Sequence, residues 1–193
     1  MECEECGTWI DQTKARKRRR YCSSACRQRA YRRRQRAYGV PDEMRGLPRW
    51  TRADGKRPIQ ADGWPASSTD PTTWSTWAET RSGCGNGQGV MLGGGLVCID
   101  LDRAFRPDGT LTSIAERVLG ACPGAWVETS VSGQGLHVFG TGFERPGRKV
   151  DTEEGTSVEL YSRARFIRVT GHTYRAGGLP AIDLNEVIRT IMI

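Results

Sequence analysis

The sequence predicts an α/β or α+β sandwich preceded by a small cysteine-rich module. Two observations carry this. Beyond about residue 90, short apolar strands and capped helices succeed one another as strand, helix, strands, helix. Ahead of them, four cysteines fall in two close pairs within a polar, strongly basic segment. With 193 residues the chain is long enough for one ordinary domain and a small appendage. The division is placed at 1–38 and 39–193.

The cysteines read Cys3-x2-Cys6 and Cys22-x3-Cys26. Two pairs of thiolates at this spacing are what a tetrahedral Zn²⁺ requires. A segment so small and polar has no core of its own, so the metal is expected to supply its folding energy. Disulfides are the alternative. They are disfavoured because the N-terminus has neither a basic n-region nor an apolar h-region, which points to a reducing cytoplasm. No apolar run is long enough to span a membrane.

Charge is uneven. Residues 1–38 carry twelve Lys and Arg against Glu2, Glu4, Glu5 and Asp11, a balance of +8, and since the whole chain is +7 the remainder sums to −1. From Cys26 a helix is expected to run to about Tyr38 through Arg27, Arg29, Arg32, Arg33, Arg34 and Arg36. Arginines all round a helix leave no apolar face to bury, but they suit a phosphate backbone. A solubilising tail is the alternative; cysteines at ligand spacing inside the block argue against it. Tyr31 and Tyr38 are candidates for base stacking, and Gly39-Val40-Pro41 ends the helix.

Residues 46–66 read as extended, and Asp70-Pro71 as N-cap and first residue of a helix bearing Trp74 and Trp77 on one side. Seven glycines between Gly83 and Gly95 surround a short strand, Val90-Met91-Leu92. No helix follows Gly85-x-Gly87-x-Gly89, so a dinucleotide fingerprint is rejected in favour of close backbone approach.

The stretch Val97-Cys98-Ile99-Asp100-Leu101-Asp102 is the pivot. It reads as a buried strand ending in two acids. Period-two alternation puts Asp100 and Asp102 on one face and Leu101 on the other. Adjacent carboxylates repel, and a divalent cation, Mg²⁺ or Mn²⁺, removes the repulsion. The rest of the chain is read as positioning a nucleotide and a nucleic acid around it. Surface decoration is the bland alternative.

Thr112 caps a helix through Ile114, Val118 and Leu119, ending at Gly120. Trp126–Ser130 and Leu136–Phe139 are strands on either side of the tight turn Ser132-Gly133-Gln134-Gly135. A basic loop, Arg148-Lys149, leads to strands at Ser157–Tyr161 and Arg165–Thr170, and a short helix capped by Asp183 and Glu186 closes the chain. Alone, His137 could be structural and Glu159 could face solvent.

Taken together and in order, Ile99-Asp100-Leu101-Asp102, Ser132-Gly133-x-Gly135-x-His137, and Val158-Glu159-x-Tyr161 followed by Arg165-x-Ile167-x-Val169-Thr170-Gly171 resemble the three motifs of the archaeo-eukaryotic primase superfamily. The match is to the bifunctional primase–polymerase (prim-pol) domain common in phages and plasmids, over about residues 45–193. Lys56-Arg57-Pro58 and the stretch from Ser68 to Trp74 resemble that domain's opening region.

The resemblance implies a two-layer α/β core with an RRM-like catalytic sheet, acting in the host cytoplasm or nucleoid. Asp100, Asp102 and Glu159 would hold two Mg²⁺ or Mn²⁺ ions for nucleotidyl transfer. His137 would contact the incoming nucleotide's phosphates, with Ser132, Gly133 and Gly135 bringing backbone amides close. Arg148, Lys149, Arg163 and Arg165 are candidate phosphate contacts. The third acid is Glu159 where many members have Asp. No helical bundle or helicase follows, so a separate helicase is an expected partner, and the zinc module is expected to grip the template. The implied function is a primase/polymerase using nucleoside triphosphates on single-stranded DNA in phage or mobile-element replication. The alternatives are a catalytically silent DNA-binding accessory protein and a metal-dependent nuclease.

Overall fold

The computed structural model describes residues 1–12, 19–29 and 39–192. Contacts divide the chain into two units, Met1–Gly39 and Val40–Ile193.

In the first unit a β-bridge between Glu2 and Trp9 closes a knuckle around Cys3 and Cys6. The Cys3 amide donates to Thr8 O at 2.9 Å. Residues 24–29 are helical, and Ser23 Oγ accepts from Cys26 N at 3.1 Å, capping the turn that carries the second pair. The core is minimal: Cys3, Ile10 and Cys26 are buried, with Tyr21 and Cys22 partly so. The expected continuation of this helix through Arg32, Arg33, Arg34 and Arg36, with Tyr31 and Tyr38, lies outside the described residues.

The second unit is a mixed α/β fold with antiparallel sheets. After a short helix α1 (Asp42–Arg45) come β1 (Trp50–Asp54), β2 (Arg57–Ile59), β3 (Gly87–Met91) and β4 (Leu96–Asp102). Helix α2 (Ser113–Ala121) is followed by β5 (Trp126–Thr129), β6 (Leu136–Thr141), β7 (Arg148–Asp151), β8 (Ser157–Tyr161), β9 (Phe166–Val169) and β10 (Thr173–Arg175), and α3 (Leu184–Ile191) ends the chain. One sheet has the order β2-β1-β3-β9, the other β10-β5-β6-β4-β8-β7.

Strand β4 is central because its sequence is apolar on both faces. Val97, Ile99 and Leu101 pack with Ile114 and Val118 of α2 and Val187 and Ile188 of α3. Cys98, on the opposite face, shares a second cluster with Trp126 and Phe139 and with Trp50, Val90 and Ile167 of the four-stranded sheet. The six-stranded sheet therefore has helices on one face and the smaller sheet on the other. Both helix starts follow their caps: Thr112 Oγ1 accepts from Ala115 N at 3.3 Å, and Asp183 Oδ1 from Asn185 N at 2.8 Å. No helix among the described residues is long and apolar enough to cross a membrane.

Several local expectations are corrected. Asp70 does cap, accepting from Thr72 N at 3.0 Å, but the turn it caps is a single 3-10 turn, Pro71–Thr73. Side chains compete for the backbone: Thr73 Oγ1 donates to Asp70 O, and Trp74 Nε1 donates to Ser67 O at 2.6 Å. Ser75 then exchanges backbone hydrogen bonds with Trp50. Trp77 meets Trp50 edge-on at 4.5 Å, and Trp74 lies 4.8 Å under the Arg49 guanidinium. Arg148-Lys149 is not a loop but the start of strand β7, because its backbone pairs with β8. The extended stretch 46–66 contains the β1–β2 hairpin, turned at Gly55 with φ 60°. Helix α2 passes through Gly120 to Ala121.

Within the glycine-rich stretch, Gly87 and Gly89 belong to strand β3 itself. A Cβ on Gly89 would come within 2.3 Å of the Phe166 ring and 2.5 Å of Ile167 O. Gly89→Ala is therefore expected to cost about 1–3 kcal/mol of stability through overpacking, lowering Tm by roughly 3–10 °C. Calorimetry checks this, and an unchanged melt would show that the sheet accommodates the methyl group.

Candidate active site

The registers of the six-stranded sheet align side chains far apart in sequence. Asp100 on β4 faces His137 on β6 across one edge and Glu159 on β8 across the other. His137 in turn faces Glu128 on β5, and Glu159 faces Lys149 on β7. Cross-strand partners share a sheet face. Five strands thus contribute one continuous polar row, Glu128–His137–Asp100–Glu159–Lys149. It lies on the face turned away from the helices, as does Asp102, two residues beyond Asp100.

The row borders a cleft of about 490 Å³. Asp100, Asp102 and His137 line it from the six-stranded sheet, and Lys56, Phe166 and Arg168 are among its lining residues from the smaller one. Ser132 also lines it. Gly133 and Gly135 do not. Gly133 supplies the left-handed φ of 73° that the turn requires, and its amide donates to Ser130 O at 3.0 Å. Gly135 lets the turn pass Leu101 O, which a Cβ would approach to 2.7 Å. The two glycines shape the turn, and the Gly133 amide is already satisfied within it.

Charge in this row is unevenly compensated. Burial pushes the Asp100 carboxyl up; the His137 ring opposes this, and the nearby Asp102 and Glu159 charges add to it, leaving a net rise. Asp100 Oδ1 is buried with no hydrogen-bond partner among the described residues, and His137 Nε2 stands 3.7 Å from it. Burial pulls the His137 ring down, but the hydrogen bond and charge of Glu128, helped by Asp100 and Asp102, carry it above the usual histidine range. Burial pushes Glu159 up as well. The Tyr161 hydroxyl, 2.6 Å from Oε2, and Lys149, 3.2 Å from Oε1, outweigh this and hold it below the usual range. Tyr161 is itself pushed to about 12, by burial first and by its bond to Glu159 second.

Arg165 lines the cleft, lies 4.3 Å over the Tyr161 ring and is 3.8 Å from Glu159. It follows Ala164, a non-glycine residue with φ 50° that tightens the β8–β9 turn. Arg163 is exposed on that turn, outside the cleft lining. Arg148 alternates to the other face of β7 from Lys149, and its guanidinium is 4.0 Å from Met192 Sδ beyond α3. The structure therefore groups Lys149 and Arg165 around Glu159 and leaves Arg148 and Arg163 apart.

The candidate donor sets differ in how well they suit a metal. Sγ atoms of Cys3, Cys6, Cys22 and Cys26 all lie within 4.8 Å of one another, so the cluster could hold a metal such as zinc. Burial raises the Cys3 thiol, but backbone N–H groups of Cys22, Glu5 and Cys6 outweigh it and bring it down to about 6. Arg27 and Arg29 are both exposed, and Arg29 donates to Cys26 Sγ at 2.8 Å. The unpartnered Asp100 oxygen beside Asp102 suits a hard divalent cation. Glu159 is already engaged by Tyr161 and Lys149. Among the described residues only the cysteines bring three or more ligand atoms close enough for one ion.

Sequence reasoning missed Glu128, read only as one residue of a strand, although it is fully buried. Its signal was a carboxylate at a position whose neighbours, Trp126 and Val127, are core residues. Lys56 and Arg168 were likewise not singled out as cleft residues.

Comparison with known proteins gives the family. The Prim-Pol family profile, described as bifunctional DNA primase/polymerase, N-terminal, matches residues 40–179. A DNA primase-polymerase of Nitratiruptor phage NrS-1 is 31% identical over 121 residues, which is 58% of this chain and 17% of that protein. The chain thus spans about a sixth of the relative's length. With the profile covering most of the chain, and with Asp100, Asp102, Ser132 and His137 lining one cleft while Glu159 adjoins it on β8, the chain belongs to the Prim-Pol family of bifunctional DNA primase/polymerases.

Proposed function

We propose that this chain is a metal-dependent nucleotidyltransferase domain that makes or extends primers on single-stranded DNA from nucleoside triphosphates. The observation that carries the reading is the buried, unpartnered Asp100 oxygen beside Asp102 in a cleft that also holds Lys56 and Arg165. Two acids together with Lys56, Arg165 and Arg168 in one cleft suit a triphosphate bound with divalent ions better than charges of either sign alone.

In this reading Asp100 and Asp102 hold Mg²⁺ or Mn²⁺, and Glu159 is the adjoining third acid. The ions, when bound, neutralise the triphosphate and activate the primer 3′-hydroxyl. Lys56 and Arg165 attract the phosphates. His137 presents Nε2 to the cleft as a donor to a phosphate oxygen, and Ser132 offers a hydroxyl from the glycine turn. Lys149, 3.2 Å from Glu159 Oε1, offsets the charge of that acid. The cysteine module, holding zinc and carrying Arg27, contacts the DNA backbone; a separate helicase exposes the strand.

The test is synthesis on unprimed single-stranded DNA with Mg²⁺ or Mn²⁺ and each class of nucleoside triphosphate. Labelled product is expected. Extension on a primed template alone would restrict the reading to a polymerase that needs help to initiate. Silence on both templates would overturn it in favour of a DNA-binding accessory role, and degradation without added nucleotide would mark a nuclease.

A further inference from the structure

Glu128 is the one fully buried charged side chain of the polar row, and the mechanism above gives it no part. Its two oxygens are used differently. Oε1 lies 2.9 Å from His137 Nδ1. Oε2 accepts from Thr170 N at 3.0 Å, Thr170 Oγ1 at 3.1 Å and Gly171 N at 2.8 Å. Thr170 and Gly171 form the crossover by which the chain leaves β9, in the smaller sheet, for β10, in the larger. Strand β9 carries Phe166 and Arg168 into the cleft lining. One carboxylate therefore ties the ring at the cleft to the corner that holds the opposite wall.

A buried carboxylate without partners would be strongly unfavourable, and an apolar residue would fill a strand position between core neighbours at lower cost. Glu128 has four partners, all at hydrogen-bond distance. Such a carboxylate keeps a proton on Nδ1 and fixes the ring plane, so that Nε2, protonated as well in the imidazolium, is the outward donor. With Nδ1–H donated to Glu128, His137 must turn Nε2 towards Asp100 and the cleft.

We propose that Glu128 is a positioning residue: it holds His137 with Nδ1 protonated and Nε2 facing the nucleotide, and it locks the β9–β10 crossover against the same ring. The part played by the nucleotide rests on the function proposed above; the ring geometry does not.

The test therefore has two arms. Imidazole ¹⁵N–¹H NMR reads the ring directly, and the chain's only other histidine is His172, which sits on the exposed side of the crossover and can be assigned by its own substitution. Wild type is expected to show a protonated, exchange-protected Nδ1 for His137. An unprotonated Nδ1 in wild type would overturn the proposal without any variant. In Glu128→Gln the amide oxygen can still accept from Thr170 and Gly171, while its NH₂ group meets Nδ1. The Nδ1 proton is then expected to be lost, with the far-UV spectrum unchanged; retention of that proton would also overturn it.

The second arm is the double-mutant cycle on nucleotide KM. Glu128→Gln is expected to raise KM by about tenfold or more, with a smaller change in kcat. Combined with His137→Ala it should add little, because both act through one ring. Additive losses would mean that Glu128 acts through the fold alone. If wild type polymerises nothing, the proposed function fails while the NMR arm still decides the ring geometry.

Discussion

Asp100→Ala is expected to reduce nucleotide incorporation by about a thousandfold or more while leaving the fold intact. Asp100 occupies the centre of the polar row, with His137 on one side and Glu159 on the other. Its Oδ1 is buried and makes no hydrogen bond among the described residues, so truncation deprives no protein donor of a partner there. It also removes one of three neighbouring carboxylates, whose mutual repulsion a buried site screens poorly. The variant should melt no lower than wild type, since function rather than stability explains a charge at this position. Mn²⁺ titration followed by thermal melting gives the complementary reading. Wild type is expected to gain stability with metal, because a ligand bound only by the folded state raises Tm. The variant should lose most of that gain. Wild-type rates in Asp100→Ala would remove β4 from the chemistry, and a collapsed fold would show that the carboxylate is structural.

Removing the metal from the cysteine module is expected to unfold the described residues 1–12 and 19–29 while the unit from Val40 onward keeps its own transition. The argument is one of size. The module buries Ile10 and two of its own ligands, Cys3 and Cys26, with Tyr21 and Cys22 only partly covered. So small a core cannot offset the conformational entropy of ordering the segment. Structural zinc contributes about 10–16 kcal/mol of apparent binding free energy in comparable peptides, which is enough. Native mass spectrometry should find one zinc per chain, lost in Cys26→Ser. A strong chelator should collapse the amide dispersion of residues 1–12 and 19–29 and leave the remaining melt unchanged. Persistent dispersion after complete metal removal would mean that hydrogen bonds such as Arg20 to Glu4, at 2.7 Å, hold the module unaided.

What the sequence alone determined about this protein is whatever depends on neighbours along the chain. Alternation in Val97–Asp102 placed Asp100 and Asp102 on one face, since side-chain period two is a property of any strand. Thr112 and Asp183 marked their helix starts because a capping oxygen reaches only the next turn. The cysteine pairs marked a cluster that could hold a metal, because ligand spacing within a knuckle is local. The order of the three motifs sufficed to identify the family. Tertiary structure alone decided which strands lie side by side. The row from Glu128 to Lys149 joins β5, β6, β4, β8 and β7, an order unlike that of the chain, and its registers are set by packing of both sheet faces. Hence Glu128 passed unnoticed in Trp126-Val127-Glu128, while Arg148 and Lys149, adjacent in sequence, separated to opposite faces once their segment became a strand. The same cause undid the helix expected after Pro71, where Ser75 bonds to the distant backbone of Trp50, a partner that no local pattern reveals. Local physics names the residues capable of the chemistry; non-local packing decides which of them meet.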